Sequence, residues 1–327
     1  MASRAGGVKR RAGAALHLAG ALLAAGIAAP AVAAEFPLAA GQAVVGSTQI
    51  YVTRAHDTLL DVARRYDLGY TQLVAANRGV DPWLPRDGSR VIVPSRYLLP
   101  EAPRHGIVIN LAERRLFYYP PGGRSVETFP VGVAALGLTT PLGATRVTAK
   151  QASPTWYPPR SIRADEPGLP QAVSPGPENP LGAFALVLGW PGYLIHGTNK
   201  PDGVGRAVSH GCIRLYPEDI ARLYREIAVG TPVRIVDQEV AARWAGDELL
   251  VEVQPSREQA DALDTGGAWI AAEPPDLVQR VAAAAGDRAR LMDWAAVEGA
   301  GLKRTGMPVP VVASAAGATA ERSPRRP

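Results

Sequence analysis

The chain has 327 residues, 47% hydrophobic and 20% charged, the balance of a globular protein and not of a disordered one. That length allows two or three folded units with cores large enough to do without disulfide staples. The formal charge of +5 sits at the start: residues 1–34 hold four basic side chains and no acidic one. The rest has 31 basic against 30 acidic, or +1, which excludes a nucleic-acid surface built on net charge.

Arg4, Lys9, Arg10 and Arg11 precede an Ala/Leu-rich stretch from about Ala12 to Ala29 and the small-residue run Ala31-Val32-Ala33-Ala34. This pattern predicts a secretory signal peptide over 1–34, cut near Ala33 or Ala34. Arg10-Arg11 leaves a twin-arginine route open, but Ala-Gly-Ala-Ala follows where large apolar residues are expected, so general secretion is the expectation. No later run approaches the roughly 18 apolar residues of a membrane span. The mature protein is therefore expected to lack a transmembrane segment and to work in the periplasm or cell envelope.

Residues 35–48 read as a linker into a small unit over 49–95. Ile50-Tyr51-Val52 has strand composition. Asp57 or Thr58 then caps a helix with Leu59, Leu60, Val62, Ala63 and Tyr66 at helical spacing, and Asp61 stands four residues before Arg65. Thr71 is placed to cap a second helix that ends at Asn77-Arg78-Gly79. Arg90-Val91-Ile92-Val93-Pro94 closes the unit as a strand. With His56-Asp57-Thr58-Leu59, Ala63-Arg64-Arg65-Tyr66, Ala75-Ala76-Asn77 and Val91-Ile92-Val93-Pro94, this order resembles a LysM module, a small α+β carbohydrate-binding fold of cell-wall proteins. The resemblance implies contact with the glycan strands of peptidoglycan, or a spacer of the same fold with no sugar affinity.

From 105 to 237 the texture changes to short β-type runs, Ile107-Val108-Ile109, Arg115–Tyr119, Thr145–Thr148 and Ala185–Leu188, bounded by Gly, Pro or Asn. Ser153 to Pro180 is too rich in proline for regular structure and reads as a long functional loop. One helix follows Cys212. Pro217 suits its first turn, Glu218 and Asp219 complement its dipole, and Ile220, Leu223, Tyr224 and Ile227 form its apolar face, with Gly230 as a stop. Pro232–Val236 closes the domain. An extension over 238–305 has a strand pattern at Glu248–Val253 and a helix pattern at Pro275–Val297. The tail over 306–327 has the composition of a disordered segment.

Cys212 is the only cysteine. Exported proteins that use cysteine structurally pair it, and a lone thiol there is open to oxidation. Its presence predicts chemistry: a catalytic nucleophile. A thiol of ordinary pKa is only about a few per cent ionised at neutral pH, so it needs an imidazole or a positive group beside it. His210 is too close along the chain to move freely. His196 ends a β-type run and can reach over from a neighbouring strand. His196 is the expected base, and His210 is expected to shape the pocket. Gly211 allows a backbone that aims N–H groups at one point, as an oxyanion hole requires. The nearest carboxylates, Asp202 and Asp219, stand at no ligand-like spacing, so no metal is expected.

The run His196 … Ser209-His210-Gly211-Cys212-Ile213-Arg214 resembles the signature of YkuD-type L,D-transpeptidases. The likeness extends over about 105–237 through Thr140-Pro141-Leu142-Gly143, Pro154-Thr155-Trp156 and Asn179-Pro180-Leu181-Gly182. With the LysM-like unit in front, the chain is similar to the envelope branch that anchors the outer-membrane lipoprotein to the wall. That branch often replaces the residue at position 210, where this chain keeps histidine, and the acceptor stays open.

The resemblance implies a mainly β catalytic domain, a β-sandwich with one helix after the nucleophile, and acyl transfer within peptidoglycan without a cofactor. Cys212 would attack the carbonyl of the third stem residue and release D-alanine, with His196 moving protons and amides at 210–212 holding the oxyanion. The Gly197 carbonyl would orient His196, and Ser209 would fix the loop. Arg214 is either a clamp for a substrate carboxylate or a structural partner of Glu218 or Asp219. Trp156 and Tyr193 line the cleft or belong to the core. The implied partners are peptidoglycan stems and glycan strands, with another stem, an envelope lipoprotein lysine or a free D-amino acid as acceptor. Water in that role would make a hydrolase of the same residues.

Overall fold

The computed structural model describes residues 34–313. The expected signal segment, apart from Ala34, and the tail from 314 lie outside the described residues.

In chain order the elements begin with β1 (Ala34–Pro37), β2 (Val44–Gly46), β3 (Gln49–Val52), α1 (Leu59–Arg65), α2 (Tyr70–Ala76), β4 (Arg90–Val93) and β5 (Arg96–Leu98). There follow β6 (Gly106–Asn110), β7 (Arg115–Tyr119), β8 (Ser125–Pro130), β9 (Val133–Ala134), β10 (Gly143–Ala152), α3 (Arg160–Asp165), β11 (Phe184–Leu188) and β12 (Leu194–His196). Then come β13 (Ala207–Ser209), β14 (Ile213–Arg214), α4 (Pro217–Glu226) and β15 (Pro232–Val236). The chain ends with β16 (Val240–Ala245), β17 (Glu248–Val253), α5 (Arg257–Thr265), α6 (Leu277–Ala285), α7 (Trp294–Lys303) and β18 (Val309–Pro310).

In the first unit, β3 and β4 pair antiparallel around the two helices. Thr58 caps α1 by accepting the Asp61 N–H, while the Asp61 carboxylate accepts the N–H of Thr58. The second helix starts two residues earlier than its cap signal suggests: Gly69 is the residue before its first turn, and Thr71 lies inside. Thr71 instead donates to the Gly205 carbonyl at 2.7 Å and also bonds Asp264, so its hydroxyl serves tertiary contact. Residues 35–48 are no linker, because β1 pairs with β8 and β2 with β5.

Nine strands form one sheet, in the order β1-β8-β7-β6-β15-β10-β11-β12-β14. The turn in this sheet is made by β10. Its first residues pair with β15, its later ones with β11, and a register shift falls between Val147 and Ala149. The two halves then close over one core, in which Ile107, Leu116 and Phe129 meet Leu186, Ile195, Ile213 and, from α4, Ile220 and Leu223. The domain is mainly β, and its sandwich-like core is enclosed by one curled sheet and not by two separate ones. The helix after the cysteine ends at Glu226, before Gly230. The long proline-rich loop holds one short helix, α3.

Every residue of β7 is buried, because the first unit covers the back of the sheet. Val108, Phe117, Tyr119 and Val126 join Leu59, Leu73, Tyr97 and Val91 in a second core. Arg115 crosses between the two layers. Its guanidinium donates to the Asp67 carbonyl (3.1 Å), Gln72 Oε1 (2.9 Å) and Thr128 Oγ1 (3.1 Å), and lies over the Tyr97 ring.

The extension has its own core of Val240, Leu249, Val251, Leu277, Val281, Val297 and Val311 around a β16–β17 hairpin. The described part of the expected disordered tail is ordered: β18 adds to β17, and Val311 N–H donates to the Leu249 carbonyl at 2.9 Å. Among the described residues no helix is long and apolar enough to cross a membrane.

Candidate active site

Strands β12 and β14 run parallel, with Ile195 opposite Ile213 and His196 opposite Arg214. Both isoleucines are buried in the catalytic core, each contributing roughly 1.5–3 kcal/mol. Alternation therefore turns His196 and Arg214 to the other face. Cys212 stands two residues before Arg214, at the end of the turn between β13 and β14. The Arg214 charge is felt by both Cys212 and His196.

Cys212 is half-buried, and its Sγ donates to the Gly192 carbonyl at 3.6 Å. Burial pushes the thiol pKa up, while the Leu194 amide and the Arg214 charge pull it down. His196 is buried, with Nδ1 2.6 Å from the Gly197 carbonyl. A carbonyl only accepts, so Nδ1 carries the proton and the lone pair belongs to Nε2. Burial, helped by the Arg214 charge, lowers the imidazole to about 4, against the opposing pull of the Gly197 and Leu181 carbonyls. The resting pair is a thiol and a neutral imidazole.

The turn that carries the thiol is held from both ends. Ser209 Oγ donates to the Cys212 carbonyl at 2.6 Å and accepts the Gly211 N–H at 3.1 Å. Thr140 Oγ1 donates to the Gly211 carbonyl at 2.8 Å. Gly211 has φ +125°, and a Cβ there would meet the Thr139 carbonyl at 2.8 Å and the Tyr193 ring at 2.9 Å. Only glycine satisfies both constraints. Tyr193 thus flanks the turn and also packs on the catalytic core. His210 is exposed.

Arg214 is locked through its backbone, which exchanges two hydrogen bonds with Gly132. Neither acidic partner considered for it is available. Glu218 pairs with Arg64 at 3.1 Å, and Asp219 is buried against Asp67. Among the described residues Arg214 Nε is buried without a partner, and the side chain borders an open groove shared with Lys200, Asp202 and Arg206.

Trp156 is half-buried and bridges Val173 within the long loop. Among the described residues no hydrogen bond or ring contact links it to Cys212 or His196. The loop does reach the histidine through Asn179. Its Nδ2 donates to the carbonyls of Pro154, Val173 and Ser174, and its Oδ1 accepts the Leu181 N–H at 2.9 Å. Asn179 and Thr140 stand in motifs visible in the sequence, but their roles emerge only from these contacts. Gly192 and Leu194 act through the main chain, which residue type does not encode. Among the described residues no group of three or more His, Cys, Asp or Glu side chains is set to hold a metal.

The family model for the L,D-transpeptidase catalytic domain (YkuD) matches residues 104–235. Probable L,D-transpeptidase YcfS of Escherichia coli (strain K12) is 43% identical over 247 residues, 72% of this chain and 77% of that protein. The chain belongs to the L,D-transpeptidase family. Probable L,D-transpeptidase YbiS of the same organism is 37% identical over 294 residues, 87% of this chain and 94% of that protein. Of solved structures, the catalytic domain of the E. faecium L,D-transpeptidase aligns with 42% of this chain and 99% of its own, at 21% identity and a TM-score of 0.33. This L,D-transpeptidase is of the cysteine-dependent type, and it has a single cysteine.

Proposed function

We propose that the protein forms a thioester between Cys212 and a peptidoglycan tetrapeptide stem, releases the terminal D-alanine, and passes the acyl group to an amine. The observation that carries this reading is His196 paired opposite Arg214, two residues after Cys212, beside a turn locked by Ser209 and Thr140.

The thiol leaves the Gly192 carbonyl and gives its proton to His196 Nε2 as sulfur bonds to the carbonyl carbon of the third stem residue. The low imidazole pKa keeps Nε2 unprotonated and ready, so ionisation accompanies attack and does not precede it. The oxyanion is held by amides of the turn. The Gly211 N–H is turned to Ser209, which assigns this work to the amides of Cys212 and His210. Collapse breaks the C–N bond, and the imidazolium returns its proton to the leaving D-alanine amine. An acceptor amine then attacks the thioester, loses a proton to His196 and expels the thiolate. Arg214, which forms no ion pair among the described residues, takes a substrate carboxylate.

Residues 49–95 act as a LysM-like unit that meets glycan strands. Trp83, 51% exposed and stacked on Tyr70 beside the exposed Leu84, offers a sugar-sized apolar surface. Export through the signal segment would place the enzyme in the periplasm or cell envelope, with another stem peptide or a lipoprotein lysine as acceptor.

The test is incubation with disaccharide tetrapeptides, with and without a lysine-ended peptide, followed by mass spectrometry and set beside Cys212→Ala. Cross-linked dimers or lysine conjugates made only by the unsubstituted enzyme support transfer. Tripeptide alone would replace transfer by hydrolysis, and no product would overturn both.

A further inference from the structure

A second cavity, of about 270 Å³, lies between β9, the turn after β6 and the start of α5. Cys212, His196 and Arg214 do not line it, yet Thr140 does, and the same Thr140 hydroxyl holds the Gly211 carbonyl.

Arg114 lines this cavity while only 7% exposed. Its Nε is buried without a partner, and among the described residues its guanidinium makes no ion pair or hydrogen bond. The acid whose charge it feels most, Asp264, is already engaged by Thr71, Arg206 and the Ala207 N–H. A buried guanidinium left without an anion is unfavourable, so the position calls for one. Nearby features are set for the same charge. The positive end of the nine-residue helix α5 forms another wall, with Ser256 as its cap and Arg257 beside it, steadied by a bond to the Leu138 carbonyl at 2.9 Å. The remaining charge is of opposite sign. Three carboxylates line the same cavity: Glu239 is paired with Arg304, while Asp237 and Glu258 are exposed, Glu258 also accepting from the Ser256 hydroxyl at 2.9 Å.

We propose that this cavity binds a zwitterion of amino-acid size, with its carboxylate at Arg114 and the α5 N-terminus and its ammonium at Asp237 and Glu258. A simple inorganic anion would meet the guanidinium but also the two exposed carboxylates, whereas a zwitterion answers both signs. The site is separate from the thiol chemistry and stands whether or not Cys212 forms a thioester. Through Thr140, an occupant lies one side chain from the nucleophile turn.

The probe is alanine of either hand, titrated calorimetrically into the purified protein, with alaninamide and propionate as the analogues lacking one charge each. Saturable alanine binding is expected, at least tenfold weaker for both analogues and for Arg114→Met, and several-fold weaker for Arg257→Gln. Arg114→Met removes a charge without an ion-pair partner, and Arg257→Gln changes an exposed side chain, so the pair guards against a folding defect. Amide resonances of Leu136, Thr140 and Ser256 should move on binding. The proposal is overturned if neither hand of alanine binds, if alaninamide or propionate binds equally well, or if binding survives both substitutions with shifts at Leu194 and Cys212 instead.

Discussion

Replacing Ser209 with alanine tests whether the nucleophile turn needs the hydroxyl that closes it. Ser209 is buried, and its Oγ joins the Cys212 carbonyl (2.6 Å) to the Gly211 N–H (3.1 Å). Deleting it removes two hydrogen bonds and leaves a buried donor and acceptor poorly satisfied, a combined loss of about 2–4 kcal/mol. If that free energy serves to hold Cys212 in its attacking position, kcat/KM falls about 30- to 900-fold. If it serves only the fold, Tm drops while turnover per folded molecule stays the same. The assay is D-alanine release from a tetrapeptide, paired with the rate of Cys212 alkylation by iodoacetamide and a thermal melt. A loss of kcat/KM below threefold with a lowered Tm would refute the positioning role, because the hydroxyl would then be structural alone.

Burial and the Arg214 charge hold His196 at about 4, so D-alanine release should show no acid limb near the ordinary imidazole value of 6.5 and should fall only as pH approaches 4; a limb at 6.5 in kcat/KM would contradict this. Burial, then the charges of Asp67 and Glu218, raises the Asp219 carboxyl well above the usual range. A raised folded pKa stabilises fully below the unfolded value near 3.8 and loses that contribution as pH climbs through the folded value. Asp219→Asn, neutral at every pH, should therefore raise Tm at pH 8 and gain less at pH 5, and thermal melts showing a lower Tm at pH 8 would count against it. Gly205 has φ +78°, and a Cβ there would overlap the Gly69 Cα. Gly205→Ala should weaken the seat of the 49–95 unit by about 2–4 kcal/mol, read as faster limited proteolysis within that unit, and an unchanged cleavage pattern would show the contact to be dispensable.

The sequence made the centre of the site legible because its parts are contiguous. Ser209 to Arg214 is one turn and one short strand, so the chain already sets Cys212 two residues from Arg214. What it could not reveal depends on contacts across long separations. The partners considered for Arg214 are both near it in sequence, but Glu218 is claimed by Arg64 and Asp219 lies against Asp67, each some 150 residues away. Residues 35–48 have no strong strand pattern, and β1 forms only because the exposed edge of β8 is there to receive it. β7 reads as one strand among several, yet the first unit buries its second face and takes the Arg115 guanidinium. Thr71 has the composition of a cap and serves as a tertiary donor. Main-chain groups such as the Gly192 carbonyl leave no mark in residue type at all.

The most direct measurement of the central claim is the intact mass of the enzyme, quenched by acid during turnover of a disaccharide tetrapeptide and followed by peptide mapping. The account predicts an adduct of the disaccharide tripeptide acyl group, confined to the peptide that contains Cys212, absent from Cys212→Ala and lost on addition of an acceptor amine. Turnover that proceeds at full rate in Cys212→Ala, or an adduct that maps to another residue, would contradict it.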